Sequence, residues 1–257
     1  QKRRTTVPNL TIGLVLPDVL GTYGDDGNAL VLRERARRRG INAEIRRIML
    51  SDEVPADCDV YTLGGGEDSA QIIAAARLAA SPGLQAAAAA GRPIFAVCAG
   101  MQILGHTFHA GGSECQGLSL IDVSTHPSPT RSIGELASVP TRAGVTRALT
   151  EPLTGFENHL GATTLGADAS ALGKVTRGVG NGGDASGSGS GDTVEGAVEG
   201  VVQGSIIATY MHGPALARNP QLADLLLAQA LGVELAELEP LEIPVIDRLR
   251  MERLGAK

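Results

Sequence analysis

RPIFAVCAGMQILG, residues 92–105, is the stretch that decides how the rest of this chain is interpreted. Its apolar start, Ile94 to Val97, favours a short buried strand, whereas Met101 and Leu104 have helical spacing. Cys98 is therefore predicted on a sharp strand-to-helix turn, a position that presents a nucleophile. The helix N-terminus would favour the thiolate over the thiol. A buried structural cysteine is the alternative when such a residue is considered alone.

The composition favours a globular α/β protein. Of 257 residues, 43% are hydrophobic and only 2% are aromatic, which suits close packing of helices on a sheet. A net charge of -6 argues against nucleic acid as a partner, because no basic stripe could neutralise phosphates. We also expect no membrane span and no signal peptide, since no long apolar run is present.

The three cysteines, Cys58, Cys98 and Cys115, are an odd number and form no CxxC pair. This pattern predicts neither a disulfide framework nor a zinc site, and it favours a reducing, cytoplasmic location. We therefore expect no metal site in this chain.

Alternation of strands and helices dominates the first half of the chain. Short strands near 10–16, 43–48, 60–63 and 94–97 alternate with helices, which predicts a mostly parallel central sheet with helices on both faces. Strands predicted at 118–123, 132–139 and 163–165 would form an antiparallel extension.

We expect one domain over residues 10–232, between an N-terminal tail at 1–9 and a C-terminal tail at 233–257. A Gly/Ser-rich segment at 181–193 is predicted to be a flexible loop inside that domain.

His212 is the best candidate for the base that a cysteine nucleophile needs. It follows the predicted strand Ser205 to Thr209, which places it at the functional edge of the sheet. His106 and His109 are closer to Cys98 in sequence but follow its helix, so we expect them to point away.

Attack on a carbonyl creates an oxyanion, which needs fixed hydrogen-bond donors. The backbone N–H groups of Gly65 or Gly66, together with that of Ala99, are the candidates for this oxyanion hole. A nucleotide-phosphate loop is the rival interpretation of the glycine triplet at 64–66, but the loop contains neither a P-loop motif nor GxGxxG.

Six motifs spaced along this sequence give it a resemblance to a known family. They are LGGGE (63–67), VCAGMQILG (97–105), TYMHG (209–213), LPDVLGTYGDDGN (16–28), RSIGE (131–135) and GFENH (155–159). Together they resemble the class I glutamine amidotransferases, in the branch that includes cobyric acid synthase domains. Within that branch the sequence is most similar to glutaminase subunits of lipid II isoglutaminyl synthase.

The resemblance implies a mechanism in which Cys98 attacks the side-chain amide of L-glutamine and His212 shuttles the proton. A γ-glutamyl thioester would form, ammonia would leave, and hydrolysis would release glutamate. It also implies a set of residues that bind the substrate: Gln102, Arg131, Phe156, Glu157, Asn158 and His159.

Two positions depart from the family pattern. Ala96 stands where a glycine usually precedes the nucleophile by two residues. Pro214 stands where a glutamate usually follows the catalytic histidine by two residues. We therefore expect the carboxylate that orients His212 to be missing from this chain or to come from elsewhere, such as a synthetase subunit.

The resemblance further implies a heterodimer with a Mur-ligase-like synthetase subunit. That partner would use ATP and Mg to amidate the D-glutamate α-carboxylate of the lipid II stem peptide, and this chain would need no cofactor itself. The partner's lipid-linked substrate would place the pair at the inner face of the cell membrane. Three alternatives stay open: a cobyrinic or cobyric acid-type amidotransferase subunit, a γ-glutamyl cysteine peptidase and a non-catalytic binding subunit.

The turn position of Cys98 leads to a first prediction. Cys98→Ala should abolish the release of glutamate from glutamine, whereas Cys58→Ala and Cys115→Ala should keep most of it, because only Cys98 lies at a helix N-terminus. A coupled glutamate assay on the three variants measures this. Equal losses in all three would contradict the assignment of the nucleophile.

Overall fold

The computed structural model describes residues 9–182 and 196–255. The helices in these ranges are α1 (Gly27–Arg38), α2 (Asp68–Ala80), α3 (Gly83–Ala89), α4 (Ala99–Leu104), α5 (Ala215–Arg218), α6 (Pro220–Leu231) and α7 (Pro244–Gly255). The strands are β1 (Asn9–Val15), β2 (Asn42–Ile48), β3 (Val60–Leu63), β4 (Ile94–Val97), β5 (Thr107–Ala110), β6 (Ser113–Gln116), β7 (Val123–Pro140), β8 (Leu153–Leu165), β9 (Gly173–Arg177), β10 (Val198–Glu199), β11 (Val201–Gln203) and β12 (Ile206–Thr209).

The first sheet has six strands in the order β11-β12-β4-β3-β1-β2. All neighbouring pairs are parallel except β11 with β12. Every residue of β3, β4 and β12 is buried, as expected for parallel strands that are covered on both faces. The predicted α/β class with a mostly parallel central sheet is confirmed.

The predicted antiparallel extension forms a second sheet. Its order is β10-β9-β7-β5-β6, and the long strand β8 pairs with β7 in antiparallel register. The strand predicted at 118–123 is wrong, because residues 118–122 connect β6 to β7. The N–H groups of Leu118 and Leu120 donate to the carbonyls of Ile103 and Leu104 at the end of α4, which keeps this segment out of a ladder.

Asp224 on α6 holds two buried arginines that lie at the end of α1. Its carboxylate accepts hydrogen bonds from Arg35 at 2.7 Å and from Arg39 at 2.8–2.9 Å. The arginine side chains are only 5% and 4% exposed. Because one carboxylate neutralises two desolvated cations, α1 and α6 are fixed against each other beside the first sheet.

The predicted flexible loop and the predicted C-terminal tail both make specific contacts with the rest of the domain, where the structure describes them. Asn181, the first residue of the predicted flexible loop, is buried, and its side chain exchanges two hydrogen bonds with the backbone of Gly200. Residues 183–193 of that loop, and residues 1–8, lie outside the described residues. In the predicted C-terminal tail, α7 buries Arg250, which donates to the carbonyl of Arg218 at 3.1 Å.

Among residues 9–182 and 196–255, no single helix combines the length and apolar composition of a membrane span. The consecutive helices α2 and α3 have them only together, and they are bent by 70° at the break between them.

The shared carboxylate of Asp224 gives a stability prediction. Asp224→Ala would leave Arg35 and Arg39 buried without a counter-ion, which should lower the free energy of unfolding by about 3 kcal/mol. Urea unfolding measures this. Glu34→Ala is the control, because it removes only the exposed partner of Arg38 and should change stability by less than about 0.5 kcal/mol. Similar small changes in both variants would contradict the structural role of Asp224.

Candidate active site

Four neighbouring parallel strands, β12, β4, β3 and β1, end at one edge of the first sheet. In open α/β sheets, ligands bind beyond this edge. The segments that leave these four strands carry His212, Cys98, the glycines 64–66 and Asp25. Residues that are far apart in sequence therefore converge on one place.

Cys98 lies between β4 and α4 in a strained conformation. Its φ is +53° and its ψ is -110°, a region that residues with a side chain seldom adopt. The backbone N–H of Cys98 donates to the carbonyl of Thr209 at the end of β12, at 2.8 Å. Gly100 permits the tight turn, since a Cβ there would lie 2.9 Å from the carbonyl oxygen of Gly64. The predicted strand-to-helix turn at the cysteine is confirmed.

His212 is held from two sides. Its backbone N–H and carbonyl form hydrogen bonds of 2.8 and 3.0 Å with the backbone of Phe156 on β8. Its Nδ1 lies 3.0 Å from both carboxylate oxygens of Asp25. A carboxylate accepts the Nδ1 proton, so Nε2 is left free to take a proton from the nucleophile. This Nε2 is buried and has no hydrogen-bond partner within the described residues.

Asp25 corrects the expectation that this chain lacks the orienting carboxylate. The acid comes from the loop after β1 and not from the position two residues after the histidine. Pro214 occupies that position and packs against the start of α1, where a Cβ on Gly27 would lie 2.3 Å from the proline Cγ. The side chain of Asp25 is fully buried, so its charge acts on His212 without screening by water.

The balance of forces on His212 favours its charged form. Burial lowers the pKa of His212, but the hydrogen bond to Asp25 and the neighbouring Cys98 outweigh burial and raise the pKa to about 10. The buried carboxylate of Asp25 therefore stabilises the imidazolium form of His212 beside Cys98.

The predicted oxyanion hole requires one correction. Gly65 is not available as a donor, because its N–H already donates to Asp25 at 2.8 Å. Its lack of a side chain matters instead, since a Cβ there would lie 3.0 Å from Cε1 of His212 and 3.4 Å from Cβ of Cys98. Gly66 and Ala99 line the cavity, and neither N–H donates a hydrogen bond within the described residues.

A cavity of about 340 Å³ opens beside Cys98. Its wall combines the turn after β4, the loop after β1, the start of α2 and strands β5, β7 and β8. The side chains that line it are mostly polar and include both carboxylates and a cation: Tyr23, Glu67, Asp68, Gln71, Cys98, Gln102, His109, Thr125, His126, Arg131, Asn158 and His159.

Four of the six predicted substrate-binding residues lie at this cavity. Arg131 donates to the Asn158 side chain at 2.9 Å, and both line one side of the cavity. Gln102 donates to Tyr210 at 3.0 Å and accepts from Gln71 at 2.7 Å. His159 stacks on the ring of Tyr210 with centroids 3.7 Å apart. These contacts give the cavity a rigid floor of buried polar groups.

The other two predicted residues, Phe156 and Glu157, do not line the cavity, which corrects their assignment. Phe156 acts through its backbone by fixing His212. Glu157 is buried, and its oxygens accept hydrogen bonds from the N–H groups of Val179 and Gly180 at 2.7 and 2.9 Å. Glu157 also lies 3.3 Å from Nε2 of His159, so it supports a residue of the cavity wall from behind.

The expectation that His106 and His109 point away from the site is correct for only one of them. His106 lies at the surface and contacts Asp122 at 3.1 Å. His109 on β5 lines the same cavity as Cys98. His109 reaches the cavity because the chain turns back after α4 and places β5 along the cavity wall.

The CobB/CobQ-like glutamine amidotransferase domain is the family whose sequence model matches this chain, over residues 11–220. The match covers the loop with Asp25, the turn with Cys98 and the segment with His212. The chain belongs to this family of glutamine amidotransferases.

Two relatives match this chain over most of its length and over most of their own length. The GatD subunit of the glutamine-hydrolyzing lipid II isoglutaminyl synthase of Staphylococcus aureus is 32% identical, over 91% of this chain and 89% of the relative. The corresponding GatD subunit of Streptococcus pneumoniae is 31% identical, over 86% of this chain and 80% of the relative. A crystal structure of a glutamine amidotransferase shares the fold with a TM-score of 0.55, at 18% identity, over 86% of this chain and 99% of that one.

Sequence reasoning missed three residues of this amidotransferase site. Asp25 and Tyr23 lie in the glycine- and acid-rich loop after β1, and Gln71 lies on α2. The ring of Tyr23 contacts that of His212 with centroids 4.8 Å apart, and its hydroxyl accepts from Asn158 at 3.1 Å. The signal for Asp25 was available, because the loop after β1 and the segment with His212 follow parallel strands of one sheet.

The contact between Asp25 and His212 gives the next prediction. Asp25→Asn should lower kcat for glutamine hydrolysis by on the order of a hundredfold or more, because an amide cannot stabilise the imidazolium as a carboxylate does. KM should change little, since Asp25 does not line the cavity. Steady-state assays of the isolated chain measure both quantities.

Asp26→Asn is the matched control, because it changes the neighbouring carboxylate, which only approaches Arg47 at 3.9 Å. We expect this variant to keep nearly full activity. If the isolated Asp25→Asn chain worked as well as Asp26→Asn, the orienting role of Asp25 would be refuted.

Proposed function

We propose that this amidotransferase hydrolyses L-glutamine through a thioester on Cys98. The sulfur attacks the side-chain amide carbon, and the carbon–nitrogen bond breaks as His212 donates a proton to the departing ammonia. Water, deprotonated by His212, then attacks the thioester and releases glutamate and the thiolate. The arrangement of Cys98, His212 and Asp25 carries this proposal, because it combines a nucleophile, a base and the acid that orients the base.

The oxyanion formed in each attack would be stabilised by the backbone N–H groups of Gly66 and Ala99. Both groups lie at the cavity beside Cys98 and have no competing acceptor among the described residues. A donor that is aimed at a developing negative charge typically lowers the activation barrier by about 3 to 4 kcal/mol. The turn at Cys98 supports the proposal, since it places the N-terminus of α4 directly after the nucleophile.

The cavity has the charges that a free amino acid requires. Arg131 would bind the α-carboxylate, with Asn158 holding the guanidinium in place. Glu67 lies in the wall as a candidate partner for the α-ammonium group. Gln102 and His159, fixed in the polar floor, would contact the substrate between these ends. A volume of about 340 Å³ accommodates a molecule of this size.

We further propose that the ammonia is delivered to a synthetase subunit that amidates lipid II. The two relatives described above are named subunits of a glutamine-hydrolyzing lipid II isoglutaminyl synthase. The partner would be Mur-ligase-like, would use ATP and Mg, and would convert the D-glutamate α-carboxylate of the stem peptide to D-isoglutamine. Such a heterodimer would work in the cytoplasm at the inner face of the membrane, where the partner meets its lipid-linked substrate.

The test is a reconstituted reaction with the synthetase partner, ATP, Mg²⁺, lipid II and glutamine labelled with ¹⁵N in its side-chain amide. The label should appear in the stem peptide. In a complex with Cys98→Ala, glutamine should no longer support amidation, but added ammonium chloride should, because the synthetase reaction itself remains intact. Cys58→Ala is the control and should keep both activities.

Two results would contradict the proposal in different ways. If the Cys98→Ala complex still amidated lipid II from glutamine, a thioester on Cys98 could not be part of the reaction. Glutamine hydrolysis without transfer of the label to lipid II, in a complex that accepts ammonium, would leave a glutaminase that serves another acceptor.

A further inference from the structure

Three potential metal ligands meet on neighbouring strands of the second sheet. They are His109 on β5, Glu114 on β6 and His126 on β7, and their ligand atoms all lie within 4.8 Å of one another. His109 and Glu114 are directly paired across the β5–β6 hairpin. The parallel pairing of Thr107 with Ser124 places His109 beside His126, two residues further along both strands. All three side chains therefore project from the same face of the sheet.

The hairpin that carries two of these residues is held in place. Its turn consists of Gly111 and Gly112, with φ of +60° and +78°, the combination that a tight two-residue hairpin turn requires. The N–H of Gly111 donates to the carboxylate of Asp68 at the start of α2, at 2.9 Å. The backbone positions of His109 and Glu114 are thus fixed by the hairpin before any ion binds.

The hydrogen bonding of His109 selects the tautomer that binds metals. Its Nδ1 lies 3.4 Å from the carbonyl oxygen of Thr125, a long contact in which the oxygen can only accept. A proton on Nδ1 would be directed at this oxygen and would leave the lone pair of Nε2 available to an ion. Metal-binding histidines usually donate their second ring N–H to a carbonyl or a carboxylate in this way.

We propose that His109, Glu114 and His126 bind a divalent transition-metal ion of the zinc type. Two imidazoles and one carboxylate are a donor set that Zn²⁺ accepts in enzymes while it keeps one coordination position open. Bonds of about 2.0–2.2 Å require ligand atoms about 3.3–3.6 Å apart, whereas these atoms lie within 4.8 Å of one another, so the widest pair must close by up to about 1.5 Å. Glu114 and His126 are exposed and can make this adjustment.

The open position would face the cavity beside Cys98, because His109 and His126 line that cavity. Water or a carboxylate of a molecule in the cavity could complete the coordination. No sequence pattern indicated this site, since the three residues follow no ligand-spacing motif, and we expected no metal site in this chain. The three-strand register of β6, β5 and β7 brings them together.

The test measures binding of Zn²⁺ by calorimetry and of Co²⁺ by visible absorption, on the tag-free chain. Cys98→Ala serves as the background, because a thiol beside His212 could bind these ions on its own. We expect one ion per chain. The cobalt absorption spectrum should be that of an ion with four or five ligands. Adding His126→Ala or Glu114→Gln should weaken binding by about tenfold or more, and changing both should abolish it.

His106→Ala in the same background is the matched control, since it removes a nearby exposed histidine outside the cluster and should leave the affinity unchanged. Far-ultraviolet circular dichroism verifies that each variant is folded. The proposal is overturned if the background protein binds less than one equivalent, or if the His126→Ala, Glu114→Gln double variant binds as tightly as the background.

Discussion

Parallel pairing of β12, β4, β3 and β1 is the constraint on which the rest of this protein depends. Because these strands run in one direction, the four segments that leave them emerge at the same edge. No segment alone contains a site, since the nucleophile, the base, the acid and the glycine loop come from different parts of the sequence. Any change that shifted one of these buried strands along another would disturb the core and separate these groups at the same time.

The active site holds one strained residue, Cys98, and one buried charge, Asp25, and the fold stabilises both. Cys98 keeps an unfavourable backbone conformation because its N–H is bound to β12 and because Gly100 lies against the end of β3. Asp25 adds a second restraint, since its carboxylate binds both His212 and the backbone of Gly65. A buried charge with two such partners is satisfied, whereas the same charge with one partner removed would be costly.

The sequence was most informative where function depends on local structure. Cys98 could be predicted because the switch from an apolar strand to helical spacing is visible within a dozen residues. The helix at Pro220–Leu231 has an equally local signature, with proline at its start and Gly232 at its end.

The groups that sequence analysis missed depend on contacts between distant segments. Asp25 acts on a histidine 187 positions away, and Pro214 gave a misleading indication that the acid was absent. The N–H of Gly65 was assigned to the oxyanion because its hydrogen bond to Asp25 cannot be inferred from a glycine triplet. The length of β7 and β8 was also underestimated, because glycines, prolines and polar residues interrupt the strand pattern of both.

The two backbone hydrogen bonds between Phe156 and His212 make the base a shared part of both sheets. Strand β8 contributes Asn158 and His159 to the cavity wall, so substrate contacts and the position of the base depend on one rigid element. A molecule in the cavity that displaced β8 would therefore also displace His212, so substrate binding and the alignment of the base are coupled through the backbone and not through a side chain.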